Sequence, residues 1–382
     1  MSLPAPRETC TLPGPGGGCG PAQGYGAVVD NAARLTVIGS LNMDISVTVP
    51  SLPGPGATVL GSAAVFAPGG KGANQAVAAA RLGGEGLIVA MIGCAGDDDF
   101  GRTLRAALRA EGVDDSAVRI VAGVPTGIAM ITVDQAGENI ITVAPGANGE
   151  LTAADIADVG GAARAVLVIS AEVPVPAISA ALAASAGRAL QVLNLAPAPP
   201  EAAELVAAGP DWLVVNESEA AAVLGRPVSG LADAAAAAAD LVATGAHHAV
   251  VTAGAAGAAY CGPQAAADDR RGPRPPGGGP PTAADGGLRA AEGVGRSSGA
   301  GDDKPVVVTI PGFKVQATDT VGAGDTFVGA LAVALAAGIP PVDAVTAAAA
   351  AGAAAATRPG TQSGMPRPAD VLAVTGHRWP VP

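Results

Sequence analysis

The stretch LQVLNLAPAPPEAAELVAAGPDWLVV, Leu190 to Val215, places two short apolar runs on either side of an Ala-rich segment of helical length. That is the pattern of a strand, a helix and a second strand, and it repeats outward in both directions. Leu35–Ile38, Leu87–Ile92, Ala165–Ile169, Leu190–Leu193, Trp212–Val215 and Ala249–Thr252 are all β-type runs separated by Ala-rich segments. Such alternation predicts an α/β fold with a mostly parallel central sheet and helices on both faces. The runs are nearly all apolar because both faces of such a sheet are covered. A different texture occurs at Ile45–Val49, Thr58–Phe66, Gly127–Val133 and Asn139–Val143, where strand-like pieces follow one another without intervening helices. These predict a small antiparallel β flap.

Composition narrows the function classes. The 382 residues carry 21 Lys and Arg against 33 Asp and Glu, a net charge of −12, which removes the cationic footprint used in nucleic-acid binding. Hydrophobic residues reach 49% but aromatics only 2%, so small side chains account for the excess. The apolar uncharged run Thr326 to Val342 contains Gly329 and Gly338 and reaches Pro340-Pro341, reading as a buried helix and a turn rather than a membrane span. Cys10, Cys19, Cys94 and Cys261 form neither metal-type pairs nor a disulfide framework, and the first twenty residues lack an apolar signal region. A cytoplasmic protein is expected. Residues 1–33 and 263–303 are dense in Gly and Pro and poor in large apolar side chains, predicting a disordered tail and a low-complexity insertion. One α/β domain over 34–376 and a carboxyl-terminal tail over 377–382 complete the expected organisation.

Three glycine-containing turns could carry chemistry. In DTVGAGDTF, Asp319 to Phe327, a strand-like stretch (Phe313–Ala317) leads through Gly322, Ala323 and Gly324 into an apolar helix. Bare N–H groups at such a helix start attract anions, and the turn suits a phosphoryl group. Asp325 would stand beside it as a general base, or simply as an acidic residue favouring a helix N-terminus. The cluster Gly69-Gly70-Lys71-Gly72-Ala73-Asn74-Gln75 opens the helix Ala76–Leu82 and lacks the Ser or Thr that a P-loop has after its Lys. It could grip hydroxyls or a phosphate, or be an ordinary strand-to-helix turn. In Gly39-Ser40-Leu41-Asn42-Met43-Asp44, alternation puts Asn42 and Asp44 on one side, a natural clamp for a vicinal diol or else a polar turn. Glu172 follows a buried strand at the edge where open α/β sheets place ligands. Asn216 with Glu219 reads first as a helix capping box, and Thr252 to Gly257 first as a turn between strands.

Taken together, the GGKGANQA segment at 69–76 and the DTVGAGDTFVGA segment at 319–330 resemble the two signatures of the ribokinase-like carbohydrate kinases. The resemblance runs from about Leu35 to Val371, apart from the insertion. It implies ATP-dependent phosphorylation of a small sugar, with D-ribose the expected acceptor, Mg2+ with the nucleotide and K+ as activator. It also implies a homodimer clasped through the flap; the charge and the hydropathy pattern already lead us to expect no nucleic-acid or membrane partner. Asn42, Asp44, Gly70, Lys71, Asn74 and Glu172 would form the sugar pocket. Asp325 would be the base, with Gly322, Ala323 and Gly324 as the anion hole. Asn216, Thr252, Gly254, Gly257 and Gly324 would meet the nucleotide, and Glu219 would organise the magnesium. Asp319, Val321, Ala355, Arg358 and Gly360 match the potassium loop, largely through backbone carbonyls. This chain departs from the pattern at Ala349, where relatives often place His or Asn near adenine, and at Gly364, where Ser is expected and Ser363 is adjacent. A kinase for another small sugar or a nucleoside, and a weakly catalytic sensor, are the alternative functions.

Overall fold

The computed structural model describes residues 33–84, 86–156, 165–263 and 305–381. The segments expected to be a tail and an insertion lie outside these residues, except Ala33 and Pro263, each of which belongs to a strand. The strands are β1 (Ala33–Ile38), β2 (Asn42–Val49), β3 (Val65–Gly69), β4 (Leu87–Gly96), β5 (Asp114–Val121), β6 (Gly127–Asp134), β7 (Asn139–Ala144) and β8 (Ala165–Ser170). They continue with β9 (Leu190–Asn194), β10 (Trp212–Asn216), β11 (His248–Thr252), β12 (Gly257–Pro263) and β13 (Pro305–Pro311). The helices are α1 (Lys71–Leu82), α2 (Asp99–Ala110), α3 (Val175–Ser185), α4 (Ala202–Ala207) and α5 (Glu217–Leu224), then α6 (Gly230–Thr244), α7 (Ala323–Ala336), α8 (Pro341–Ala355), α9 (Thr361–Gly364) and α10 (Pro368–Thr375).

Nine strands form one sheet in the order β13-β12-β11-β10-β9-β8-β1-β4-β5. The pairings from β11 to β5 are parallel; β12 pairs antiparallel with both β11 and β13, so it is the one reversed strand of this sheet. Alternate residues feed two cores. Leu35, Val37, Val166 and Val168 face the layer containing α1, α7 and α8, whereas Ile38, Leu167 and Ile169 face the layer containing α3, α4 and α6. This is why the strand sequences show no polar alternation.

The flap is a four-stranded sheet in the order β3-β2-β6-β7. Its outer pairings are antiparallel, and its central pairing, β2 with β6, is parallel from Asn42 opposite Gly127 to Val49 opposite Asp134. Strands β2 and β6 follow β1 and β5, which point the same way, so both leave one edge of the body in the same direction.

Three expectations need correction. Thr58–Phe66 is not a strand; only Val65 and Phe66 belong to β3, and residues 57–64 are irregular. Gly61 interrupts the apolar run where it crosses β2, and Ser62 holds that crossing by donating from its N–H to the Thr48 carbonyl at 2.8 Å. Phe313–Ala317 is not a strand either. The chain leaves the sheet at Gly312, whose N–H donates to the Ala256 carbonyl at 3.0 Å. Lastly, residues 377–381 do not trail: Trp379 is buried and its Nε1 donates to the Leu82 carbonyl at 2.9 Å.

Helix α7 lies against both α1 and α8, and small residues set the spacing. A β-carbon on Gly329 would stand 2.6 Å from the Gln75 carbonyl oxygen and 2.8 Å from the Ala78 side chain. Neither neighbour is a flexible end that could swing away. Gly329→Ala is therefore expected to destabilise the protein by about 1–3 kcal/mol, the usual cost of overpacking a core, despite the better helix propensity of Ala. Denaturant unfolding of the purified variant checks this.

Candidate active site

The carboxyl ends of β1, β8, β9, β10 and β11 share one edge of the sheet, where open α/β folds bind ligands. A cleft of about 330 Å³ opens there, lined by Lys71, Asn194, Asn216, Glu219, Thr252 and Asp325 among others. The flap reaches it through Ile141.

One wall is the start of α7. Gly322 caps the helix in the left-handed region with φ of 78°. The Ala323 N–H is taken by the Thr320 carbonyl at 3.2 Å, and the Thr326 N–H by the Gly322 carbonyl at 2.8 Å. Those of Gly324 and Asp325 have no acceptor among the described residues. A β-carbon on Gly324 would meet nothing within 4 Å, so this helix end faces open space. Of the three residues expected to form the anion hole, Ala323 thus has its N–H committed, and Asp325 adds one of its own.

The Asp325 side chain is buried and fixed from α1. Asn74 Nδ2 donates to its Oδ2 at 2.9 Å, and Gln75 Nε2 donates to its Oδ1 at 3.1 Å. The turn before α1 makes this possible. Gly70 has φ of +90°, and a β-carbon on it would stand 2.6 Å from the Asn42 nitrogen. Gly72 likewise lies on Gly39, where a β-carbon would come within 2.6 Å. These approaches bring Lys71 and Asn74 beside the turn between β1 and β2, which carries Asn42 and Asp44. Glu172 closes that side: its Oε2 accepts from Ser40 Oγ at 2.6 Å and from the Lys71 N–H at 3.2 Å.

On the opposite wall, Asn216 caps α5. Its Oδ1 accepts from the Glu219 N–H at 2.9 Å, and Glu219 Oε2 accepts from the Asn216 N–H at 2.8 Å. The capping box is real, and both residues also line the cleft. Thr252 lines it too, whereas Gly254, Gly257 and Ala349 do not. Gly257 is held close to the Ile310 carbonyl with φ of +115°, and Ala349 packs beside the core around α7 and α8. Below the cleft, Asp319 Oδ1 accepts from the Val321 N–H at 3.0 Å and its Oδ2 from the Gly360 N–H at 2.9 Å. The carboxylate thus staples 319–321 to the segment running from Ala355 to Gly364. The Arg358 side chain points away to Asp370, and Ser363 Oγ donates to the Pro359 carbonyl at 3.2 Å.

Several side chains here escaped the sequence reading. Asn148 accepts from the Leu41 N–H at 2.9 Å and donates to the Asn42 side chain at 2.7 Å, orienting that amide. Asn194 and Gln362 extend the contacts of Gln75 and Asn74. Asn194 ends an apolar strand at the ligand edge, the same signal that singled out Glu172. Nothing local marks Asn148 or Gln362.

The electrostatics are crowded. Burial, reinforced by Glu172 and Asp325, pushes the Asp44 carboxyl up to about 7 against the pull of Lys71. Asp325 in turn holds the Lys71 ammonium above its ordinary value. Burial also raises Glu219.

A buried polar pocket, a helix start with two free N–H groups and a flap beside the strand ends match the layout expected of a sugar kinase. A family model described as pfkB family carbohydrate kinase matches residues 32–275 and 295–368, and the chain belongs to that family. It is 32% identical to a ribokinase of Schizosaccharomyces pombe over 339 residues, 87% of this chain and 95% of that protein. It is 39% identical to a ribokinase of Haemophilus influenzae over 198 residues, 51% of this chain and 63% of that one, less than two thirds of the relative's length. The structure of Arabidopsis thaliana ribokinase complexed with ribose and ATP matches with a TM-score of 0.67 at 26% identity, covering 91% of this chain and 99% of that one. Among the described residues no helix is long and apolar enough to cross a membrane.

The raised Asp44 carboxyl gives a pH signature. The folded protein binds this proton more tightly than the unfolded chain, whose carboxyl titrates near 3.8, so stability falls as pH rises from there toward about 7. Asp44→Asn lacks that loss. Without sugar, the variant is expected to melt several degrees above wild type at pH 8, with the gap narrowing steadily as the pH is lowered to 5. Melting curves across this range test it; a variant melting below wild type at pH 8 would contradict it.

Proposed function

We propose that this chain transfers the γ-phosphoryl group of ATP to the primary hydroxyl of D-ribose, giving ribose 5-phosphate. The observation that carries the reading is the Asp325 carboxylate, anchored by two amides beside the vacant N–H groups at the start of α7. The ribokinase relatives and the ribose and ATP complex of the Arabidopsis protein support the choice of substrates. Aromatic residues are only 2% of the chain, which speaks against a nucleoside base as the acceptor's main contact.

In this mechanism Asn42, Asp44, Asn74, Lys71 and Glu172 hold the sugar hydroxyls. The hydroxyl oxygen attacks the γ-phosphorus in line while its proton passes to Asp325. The bond to the β-phosphate oxygen breaks, and ADP leaves. The Gly324 and Asp325 N–H groups, the helix dipole and Lys71 face the charge that develops. Gly322 and Ala323 shape this turn.

The site fits magnesium as a partner of the nucleotide. Among the described residues no three acidic, His or Cys side chains converge on one point, and Mg2+ is commonly held by one or two carboxylates together with phosphates and waters. The second oxygen of Glu219, with Asn216 behind it, would serve, and the ion would neutralise phosphate charge. A potassium ion would be held by carbonyls of the stapled 319–321 and 355–364 segments, including Val321, Ala355, Arg358 and Gly360. Gly364 brings no hydroxyl to such a site. Buried, unpaired Cys94 and Cys261 suit a reducing cytoplasm.

The flap supports a homodimer. Ser46 pairs with both Val65 and Ile131, and Ile131 with Ile141, so these side chains share the face that carries Asp44. Val65 is 59% exposed and Ile141 50%. A second copy on a two-fold axis would cover this apolar face with its own equivalent.

Asp325→Asn is expected to retain folding and ribose affinity while kcat drops by roughly two to four orders of magnitude. A coupled ADP assay with ribose and ATP measures it, and near-wild-type turnover would discard Asp325 as the base. Light scattering should find a dimer at micromolar concentration. Val65→Asp is expected to shift it toward monomer and to raise the KM for ribose, because the clasp and the sugar lid are one sheet.

A further inference from the structure

Asp325 stands in the middle of a directed chain of side-chain amides that runs through the protein from α9 to β10. Gln362, Asn74, Gln75, Asn194 and Asp325 are all at least nine-tenths buried. The direction of every amide is fixed by its neighbours. Asn194 Nδ2 donates to the Val214 carbonyl at 3.0 Å, so its oxygen must face Gln75. Gln75 Nε2 then donates both to Asn194 Oδ1 at 2.9 Å and to Asp325 Oδ1 at 3.1 Å. From the other end, Gln362 Nε2 donates to Asn74 Oδ1 at 3.1 Å, which turns Asn74 Nδ2 toward Asp325 Oδ2.

The chain keeps this direction at a cost. Gln75 Oε1 is buried with no hydrogen-bond partner among the described residues, a rare condition that reflects some other demand on the group. Turning the amide over would set its oxygen against the Asn194 oxygen and the Asp325 carboxylate. Gln362 is itself tied down through its backbone: Arg81 Nη1 donates to its carbonyl at 2.6 Å and to that of Met365 at 2.9 Å, while Arg81 makes a paired contact with Glu111. The anchor at this end is therefore rigid.

We propose that Gln75 and Gln362 are positioning residues for phosphoryl transfer, acting through the amide chain Gln362–Asn74–Asp325–Gln75–Asn194. Gln75 fixes one carboxylate oxygen of Asp325 directly. Gln362 does not reach the reacting atoms; its donation to Asn74 Oδ1 reinforces the orientation that Asp325 imposes on Asn74 Nδ2, so both ends of that amide agree. This inference rests on the reading of Asp325 as the base.

Four variants of the full chain test it with ribose and ATP: Gln75→Met, Gln362→Met, Gln362→Glu and Asp325→Asn, each with a melting curve. Gln75→Met is expected to lower kcat roughly ten- to hundred-fold with little change in the ribose KM, the range for losing one hydrogen bond to a charged group. Gln362→Met leaves Asn74 oriented by Asp325 and should cost less than about threefold. Gln362→Glu is closer in shape to Gln, yet its carboxylate can only accept. Asn74 then has an acceptor carboxylate on each side and loses its single orientation, so the ribose KM rises and kcat falls, about tenfold or more together. Acidification protonates the new carboxyl and restores a donor, so this variant should recover relative to wild type as pH falls from 8 to 5. Simple filling of space would instead favour Glu over Met and leave the pH profile unmoved.

Equal kinetics and pH profiles for Gln362→Glu and Gln362→Met, with Asp325→Asn inactive, would overturn the inference and leave the base assignment standing. An active Asp325→Asn would remove both. If Gln75→Met fails to fold, the Gln362 pair, at the periphery of the chain, decides alone.

Discussion

Asp325 can accept hydrogen bonds from Asn74 and Gln75 at once only because the first turns of α7 run hard against α1, at a distance that admits no β-carbon on Gly329. The helix start supplies N–H groups and a dipole, but it does not determine where an aspartate side chain in its first turn will point. That direction comes from α1. Because the same helix begins with Lys71 and turns on Gly70 beside Asn42, one inter-helix contact sets the proposed base, the cation and the sugar clamp relative to one another. A slide of α1 along α7 would displace the cation and the clamp relative to the proposed base.

The charges in this pocket are arranged against stability. Asp44, Glu172 and Asp325 repel one another, as the raised Asp44 carboxyl records, and Lys71 answers only part of that charge. Such an excess of acceptors is poorly satisfied by the protein alone. An uncharged polyol brings several hydroxyl donors into it and relieves the deficit, whereas an already phosphorylated sugar would add negative charge beside carboxylates. For the proposed reaction, these electrostatics favour a neutral sugar as acceptor and would leave the turn of α7 for the nucleotide's phosphate.

Much of this was legible in the amino-acid sequence, for identifiable reasons. The central strands begin and end close to the apolar runs because a strand covered on both faces leaves no other pattern to follow. The two glycine segments could be placed at helix starts because their turns demand residues without a β-carbon, and the Asn216 to Glu219 capping box depends on neighbours only three residues apart. Failures came where local pattern and tertiary geometry part company. Thr58–Phe66 alternates like a strand, but its crossing with β2 is at Gly61. Phe313–Ala317 has strand-like composition, but the chain has already turned away at Gly312. Asn148 and Gln362 are polar residues in polar stretches, and they acquire meaning only beside residues 106 and 288 positions distant.

The unusual composition and the site have a common basis. A core built from Ala, Val and Gly, with few aromatics, lets elements approach until backbone meets backbone. Three such approaches matter here: Gly39 with Gly72, Gly329 with Gln75, and Gly352 with the Ala323 carbonyl, where a β-carbon would lie 3.1 Å away. Each adjoins a working part of the site, respectively the turn leading to Asn42, the amide that holds Asp325, and the start of α7. Glycines with open surroundings, such as Gly225, Gly338 and Gly376, end helices instead, in the left-handed conformation that their positive φ requires. In the first group the residue is demanded by distance, in the second by backbone angle. Only the first group ties the spacing of the core to the geometry of the reaction.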